Sequence, residues 1–265
     1  MNIKITGIGY YLPENIETSE QLAPKIGKSI DWITSRTGVK ERRVSDIDVD
    51  LMGAKASKLA LKNKVPDLIL NASGVGKQVI PDTSVFIQKE LGFQGIPSFT
   101  IHSTCLSFLV ALNTAANFIS QGSYKKILIV SADRGTRGRN FDEPESAVLL
   151  GDAAAAVLVE KTLDNEKSCM LDFTMNTYPE GSHLTEVRGG GTNLHPHDKE
   201  TNFADNLFSM NGPMIYKMAR KTVYNQIQLD LKNNNLKVND INLVIPHQAS
   251  GLAIKAYSKY GGFSR

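Results

Sequence analysis

Two stretches far apart in the chain repeat one order of elements. Residues 51–64 have apolar positions at helical spacing and lead to a short apolar strand, 68–72. Residues 214–235 read as a second helix and lead to the apolar run 241–245, then to Pro246-His247-Gln248-Ala249-Ser250. A further helix follows each strand, 84–93 in the first copy and 252–263 in the second. Both helices stop at a glycine followed by phenylalanine, Gly92-Phe93 and Gly262-Phe263, as a glycine C-cap allows. Identity between the copies is weak, but the order is the same. The chain is therefore expected to hold two copies of one α/β unit, residues 1–165 and 166–265. In the first copy the next elements are strand 97–101, a helix from Cys105 to Ser120, and strand 126–132. The second copy reaches Arg265 without a counterpart, so its half is expected to be incomplete, with exposed sheet edges and an apolar face.

Strand and helix patterns alternate elsewhere too. Residues 2–11 read as a strand ended by Leu12-Pro13, and residues 83–91 as a helix. The run 126–132 is apolar throughout, as in a strand central to a sheet covered on both faces. The alternation predicts an α/β class with parallel strand pairs. The helix from Cys105 to Ser120 is expected to be buried nearly all round. Residues 146–150 and 154–160 read as two strands around a Gly151-Asp152 turn. Residues 178–206 hold few apolar groups, three consecutive glycines (189–191) and His183, His195 and His197. They predict a surface excursion, either over an active-site mouth or as a plain loop.

Composition narrows the function classes. With 41% hydrophobic and 22% charged residues over 265 positions, a disordered or collagen-like chain is excluded. A net charge of +3 is too small to argue for nucleic acid. No apolar run is long enough to span a bilayer, and the start lacks the apolar region of a secretory signal. Two cysteines without a CxxC point to a reducing, cytoplasmic setting and no structural zinc.

Cys105 is the sharpest chemical candidate. It follows strand 97–101 and the turn His102-Ser103-Thr104, and it opens an apolar helix. Unpaired N–H groups and the helix dipole are expected to favour its thiolate and lower its pKa. The local pattern alone leaves a nucleophile and a buried structural thiol both open. Cys169, in the strand-like run 168–173, reads as core. Pro246 places His247 at the carboxyl end of an apolar strand, where sites of open α/β sheets gather; a structural histidine remains the alternative. His195-Pro196-His197 lacks a third ligand at helical spacing, so no metal is expected. Gly189-Gly190-Gly191 is not a P-loop, because no Gly-Lys-Ser/Thr follows.

Cys105 and His247 together bring a family into view. The chain resembles the condensing enzymes of the thiolase superfamily, and within them the ketoacyl synthase III group that starts fatty-acid chains. The resemblance runs from Asn2 to about Gly261. It includes Gly7-Ile8-Gly9-Tyr10-Tyr11-Leu12-Pro13, the stretch from Asp31-Trp32 to Arg36-Thr37-Gly38, Cys105, Gly151-Asp152-Ala153-Ala154, Asn211-Gly212, and Pro246-His247-Gln248-Ala249. It implies a duplicated five-layered α/β/α/β/α fold, in agreement with the echo, with the second half incomplete. It implies an acyltransferase without a cofactor, acting as a homodimer with acyl-CoA as substrate. Cys105 would take the acyl group as a thioester. A malonyl thioester, on acyl carrier protein or coenzyme A, would lose carbon dioxide, and its enolate would attack that acyl group. His247 would donate a hydrogen bond to the enolate oxygen. Trp32 and Arg36 match coenzyme A contacts, and Lys217 a basic position used in carrier docking.

The departures carry expectations of their own. The Gly-Asn-Thr-like motif that supplies a third catalytic residue is absent after His247, so condensation is expected to be impaired while self-acylation partly survives. The glycine of the second oxyanion amide belongs to the same absent stretch. His102-Ser103-Thr104 replaces a small alanine-rich run, and Leu106-Ser107-Phe108 replaces Ala-Gly-Phe. Ser250 stands in place of asparagine at a coenzyme A contact, and Leu252 in place of arginine. Ile80 replaces a large aromatic that limits the acyl pocket, which implies a primer longer than acetyl. An inactive carrier- or partner-binding fragment and a related acyl-CoA condensing enzyme remain as alternatives.

Overall fold

The structure is a computed structural model that describes residues 1–263. In chain order its elements are β1 (Ile3–Tyr11), β2 (Ile16–Thr18), α1 (Ser19–Ile26), α2 (Ile30–Thr37), β3 (Glu41–Arg43), α3 (Val49–Leu61), β4 (Leu68–Asn71), α4 (Thr83–Leu91) and β5 (Ser98–Thr100). There follow α5 (Ser107–Ser120), β6 (Lys126–Arg134), α6 (Pro144–Ala147), β7 (Asp152–Lys161), β8 (Thr185–Glu186), β9 (Ser209–Met210), α7 (Gly212–Asn233) and α8 (Gly251–Gly261). Two compact units divide them. The first comprises Met1–Asn15, Arg43–Arg134 and Gly151–Phe173; the second comprises Ile16–Arg42, Gly135–Leu150 and Thr174–Arg265.

The first unit is a five-stranded sheet in the order β1-β7-β6-β4-β5, covered on both faces. β4 runs parallel to β5 and β6, whereas β7 pairs antiparallel with β6 and β1. Along β6 the side chains alternate between two cores. Leu128 and Val130 join Met52, Ala56 and Ile87 beneath α3 and α4, while Ile127 and Ile129 join Ala111, Ala115 and Ile119 beneath α5. Burial on both sides explains the unbroken apolar run. Gly7 and Gly9 let α3 lie directly on β1. A Cβ on either would come within 1.9 Å of the Ala60 carbonyl oxygen or 2.1 Å of the Ala56 carbonyl oxygen. The Gly-Ile-Gly motif is thus a packing requirement.

The second unit is helical, with short strands. Its apolar cluster joins Leu22, Ala23 and Ile26 of α1 to Ile33 of α2 and to Ala147 and Val148. Arg42 is buried there and donates through Nε to the Val148 carbonyl at 2.9 Å and through Nη1 to Ser19 Oγ at 3.0 Å. The triple glycine has a local cause. A Cβ on Gly189 would come within 2.5 Å of Asn206 Oδ1, and Gly190 has φ +85°. The loop around it is tied by Arg188 to the buried Asp205 carboxylate. Most of residues 178–206 are exposed.

The paired helix ends of the echo share one geometry. Gly92 has φ +75° and Gly262 φ +71°; Phe93 N–H donates to Gln88 at 3.2 Å and Phe263 N–H to Ser258 at 3.1 Å. Both are Schellman ends.

Four expectations need correction. Residues 144–147 form a helical turn led by Pro144, and β7 runs unbroken from Asp152, so no hairpin surrounds Gly151. Proline at the first helical turn forfeits no needed N–H, which favours the helix there. α5 is buried on one face only, with Leu109 50% exposed, because it covers one side of one sheet. Cys169 is exposed. The run around it bonds to the chain start, with Met170 N–H donating to the Met1 carbonyl at 2.9 Å, and it joins no strand. The apolar run 241–245 forms no strand either, and Leu243 and Ile245 are 74% and 82% exposed. A strand needs a ladder partner for its backbone, and none among the described residues pairs with it.

Candidate active site

In the first unit, β4, β5 and β6 present their carboxyl ends at one edge of the sheet. Asn71 is in register with Thr100 on one side and Val130 on the other. A buried polar chain ties these ends together. Asn71 Nδ2 donates to Thr100 Oγ1 at 3.0 Å, Ser73 Oγ donates to Asn71 Oδ1 at 2.8 Å, and Ala132 N–H donates to Ser73 Oγ at 2.9 Å. Asn71 and Ser73 are almost wholly buried, so each bond lies in a setting where its loss is costly.

Cys105 rises from this edge. Ile101 N–H still donates to the Asn71 carbonyl at 2.9 Å, after which the chain leaves the sheet. Thr104 has φ +48°, a left-handed conformation that strains a β-branched residue. Cys105 is the middle residue of a 3-10 turn, Thr104–Leu106, and α5 begins only at Ser107. Ser107 locks the turn: its Oγ accepts from Ser103 N–H at 2.9 Å and donates to the Thr104 carbonyl at 2.7 Å. Cys105 is exposed as a residue, with its sulfur partly enclosed by the protein.

The expected acidification of Cys105 is not what the surroundings produce. Desolvation by the enclosing protein pushes the thiol up, and the Asp133 carboxylate pushes it further, against a weaker opposing backbone hydrogen bond. A 3-10 turn places Cys105 ahead of the first residue of α5, and burial is the larger of the two effects that disfavour its thiolate. Asp133 escaped the sequence reading. Its only signal there was a charged residue closing an apolar strand.

The segment after β4 is fastened at both ends. Asp133 Oδ1 accepts from Gly74 N–H at 2.8 Å and Val75 N–H at 3.1 Å. Asp82 accepts from Ser84 N–H at 2.8 Å and Thr100 N–H at 3.0 Å. Between these anchors Ile80 is 81% exposed. Lys77 Nζ is held by Asp50 at 2.8 Å and Asp48 at 3.1 Å.

The second unit carries the remaining expected residues. Trp32 and Arg36 lie one turn apart on α2, and the Arg36 guanidinium sits 4.8 Å from the Trp32 ring centre, with Lys28 Nζ at 5.5 Å. Trp32 is half-buried against the α1–α2 cluster, and Arg36 is exposed. The start of α8 packs on the end of α2, where a Cβ on Gly251 would approach the Thr37 carbonyl oxygen to 3.1 Å. Ser250 caps α8, accepting from Ala253 N–H at 3.1 Å. Its hydroxyl oxygen is thus engaged by the helix. His247 is exposed in the irregular segment before this cap, not at a strand end as expected, because strand 241–245 does not form. Lys217 is exposed on α7.

A polar cavity of about 260 Å³ lies elsewhere in this unit, among Asn140, Glu143, Arg188, Asp205 and Ser209; none of the expected site residues line it. Among the described residues no group of three or more metal-ligating side chains is assembled, and no helix is long and apolar enough to cross a membrane.

Comparison with known proteins accords with this layout. Residues 99–179, which include Cys105, match the family described as 3-oxoacyl-[acyl-carrier-protein (ACP)] synthase III. The beta-ketoacyl-[acyl-carrier-protein] synthase III of Aquifex aeolicus is 34% identical over 267 residues, covering 98% of this chain and 80% of that protein. That of Clostridium acetobutylicum is 30% identical over 272 residues, covering 99% and 82%. The crystal structure of 3-oxoacyl-[acyl-carrier-protein] synthase III from Aquifex aeolicus VF5 superposes with a TM-score of 0.88 at 28% identity, covering 99% of this chain and 82% of that one. With near-full-length similarity at this level, the chain belongs to the beta-ketoacyl-[acyl-carrier-protein] synthase III family, with its thiolase-like α/β fold.

Proposed function

We propose that this chain is a condensing acyltransferase that transfers an acyl group from acyl-CoA to Cys105 and joins it to a malonyl thioester. The observation that carries the reading is the position of Cys105. It is an exposed residue on a strained, locked turn at the carboxyl edge of three parallel strands, within the stretch that matches the family. The sulfur attacks the thioester carbonyl, and coenzyme A leaves as its thiol. Decarboxylation of the malonyl group, on acyl carrier protein or coenzyme A, generates the enolate that attacks the acyl-cysteine. His247 donates a hydrogen bond to the enolate oxygen.

The remaining assignments follow the same reading. The Trp32–Arg36 pair offers an aromatic face and a positive charge to the nucleotide end of coenzyme A. Lys217 contributes to carrier docking, and Ser250 acts through the capped start of α8 rather than through a free hydroxyl. Ile80 leaves room for a primer longer than acetyl. No metal or organic cofactor takes part, and the enzyme works in the cytoplasm as a homodimer.

Intact-mass measurement after incubation with acetyl- through octanoyl-CoA tests the reading, with Cys105→Ala alongside. A stoichiometric acyl adduct, absent in Cys105→Ala, is expected, with octanoyl at least equal to acetyl. No adduct from any donor on folded protein would overturn the proposal in favour of a carrier- or partner-binding chain. Clear preference for acetyl would overturn the role given to Ile80.

A further inference from the structure

One buried hydroxyl closes a clasp across the turn that bears Cys105. Ser107 Oγ accepts from Ser103 N–H at 2.9 Å and donates to the Thr104 carbonyl at 2.7 Å. Two backbone bonds close the same turn, from Leu106 N–H to the Ser103 carbonyl at 3.0 Å and from Ser107 N–H to the Thr104 carbonyl. The Thr104 carbonyl therefore accepts twice from Ser107. Ser107 is buried, so its loss would leave the Ser103 N–H without the hydroxyl and with little access to water. Thr104 is left-handed at φ +48°, a conformation from which a β-branched residue gains by relaxing. Both bonds of the hydroxyl oppose that relaxation. A glycine in place of Ser107, as in Ala-Gly-Phe, would offer no hydroxyl for the clasp.

The peptide group that the clasp grips is the one leading into the thiol residue. In a trans peptide the carbonyl and the N–H point in opposite directions, so fixing the Thr104 carbonyl also fixes the Cys105 N–H. Among the described residues no group outside Cys105 accepts from that N–H. We propose that Ser107 is a positioning residue that aims the Cys105 N–H at the oxygen of the incoming acyl group. This rests on the reading of Cys105 as the acyl acceptor. As the sulfur attacks the thioester carbonyl, a carbon–sulfur bond forms to Cys105 and the carbonyl oxygen takes up negative charge. The bond to the coenzyme A sulfur then breaks, and coenzyme A leaves as its thiol with the proton given up by Cys105. An N–H already directed at the charged oxygen stabilises that intermediate, and the gain falls steeply with misalignment. Ser107 acts through the peptide plane, without touching the substrate.

Two reactions of the same sulfur separate this role from a general loosening of the turn. Acylation by acetyl- or octanoyl-CoA passes through an oxyanion, whereas alkylation by iodoacetamide does not. Both are followed on the full chain by peptide mass, which resolves Cys105 from the exposed Cys169. Ser107→Ala is expected to acylate about tenfold or more slowly at saturating donor, with the half-saturating donor concentration unchanged, while iodoacetamide labels Cys105 within about threefold of the parent. Equal losses in the two reactions would overturn the proposal, because they would mark a displaced thiol. Unchanged acylation would overturn it as well. Ser107→Thr and Ser107→Val have nearly the same shape and differ in the hydroxyl, and this pair decides should Ser107→Ala fail to fold. Ser107→Thr is expected to acylate about tenfold or more faster than Ser107→Val, and equal rates would overturn the proposal. An adduct on the parent that these variants leave unaffected refutes this inference alone. No adduct on the parent refutes the acyltransferase reading and this inference with it.

Discussion

Replacing Gly7 by alanine probes the contact on which the first unit is built. The added Cβ would lie 1.9 Å from the Ala60 carbonyl oxygen and 2.9 Å from its carbon. A relaxed carbon–oxygen contact is about 3.3 Å, so roughly 1.4 Å of space is missing. The obstacle is helix backbone, which no rotamer change can move. α3 would have to rise from β1, and it carries Val49, Met52, Ala56, Ala60 and Leu61 into the core. A gap of about 1 Å forfeits up to half of the dispersion energy along such a contact. Overpacking ordinarily costs about 1–3 kcal/mol; with backbone as the obstacle the cost should reach about 3 kcal/mol or more. In a chain of this size that lowers Tm by roughly 6–12 °C. Two substitutions calibrate the scale. Gly53→Ala meets side chains alone, Val130 Cγ1 at 3.1 Å and Ile87 Cδ1 and Cγ1 at 3.3 and 3.4 Å, and the helix-propensity gain of about 1 kcal/mol offsets the crowding. Gly191→Ala meets nothing within 4 Å and should stay within about 0.5 kcal/mol of the parent. Urea denaturation and thermal melts of the three variants give the comparison. A Gly7→Ala protein as stable as Gly191→Ala would refute the account of how α3 seats on the sheet.

Thr104→Gly should stabilise the chain by about 1 kcal/mol in urea melts, because glycine relieves the left-handed strain at some entropic cost; a loss of stability would contradict the strain reading. Glu17 is raised by burial but lowered overall by hydrogen bonds from Lys25 and Arg139, so its contribution holds above its ordinary pKa of 4.5 and fades as pH falls through the depressed value. The stability gap between parent and Glu17→Gln should therefore narrow below about pH 4.5, and a constant gap from pH 7 to pH 3 would refute it. Arg36→Ala should raise the acyl-CoA concentration needed for half-maximal acylation of Cys105, yet leave acyl-pantetheine donors unaffected. Equal weakening of both donors would remove Arg36 from the nucleotide end.

Much of the architecture was legible because its causes are local. The central strand, the amphipathic helices α3 and α4, and the matched glycine ends at Gly92 and Gly262 all follow from side-chain period and from the conformational freedom of glycine. The family motifs likewise announced Cys105 and His247 as residues to examine. Tertiary structure decided what depends on neighbours distant in sequence. Residues 241–245 have a strand's composition but no ladder partner among the described residues, so the peptide groups that only pairing could satisfy stay outside a sheet. Cys169 looked like core but lies on a run outside any strand, bonded to the chain start and to Thr162. The acidity of Cys105 is set first by burial and second by the Asp133 carboxylate, which belongs to another strand of the sheet; both push its thiol up. Periodicity and caps are properties of a chain segment, whereas pairing, burial and electrostatic neighbourhood belong to the folded assembly of segments, and the state of the Cys105 thiol is set by the second kind.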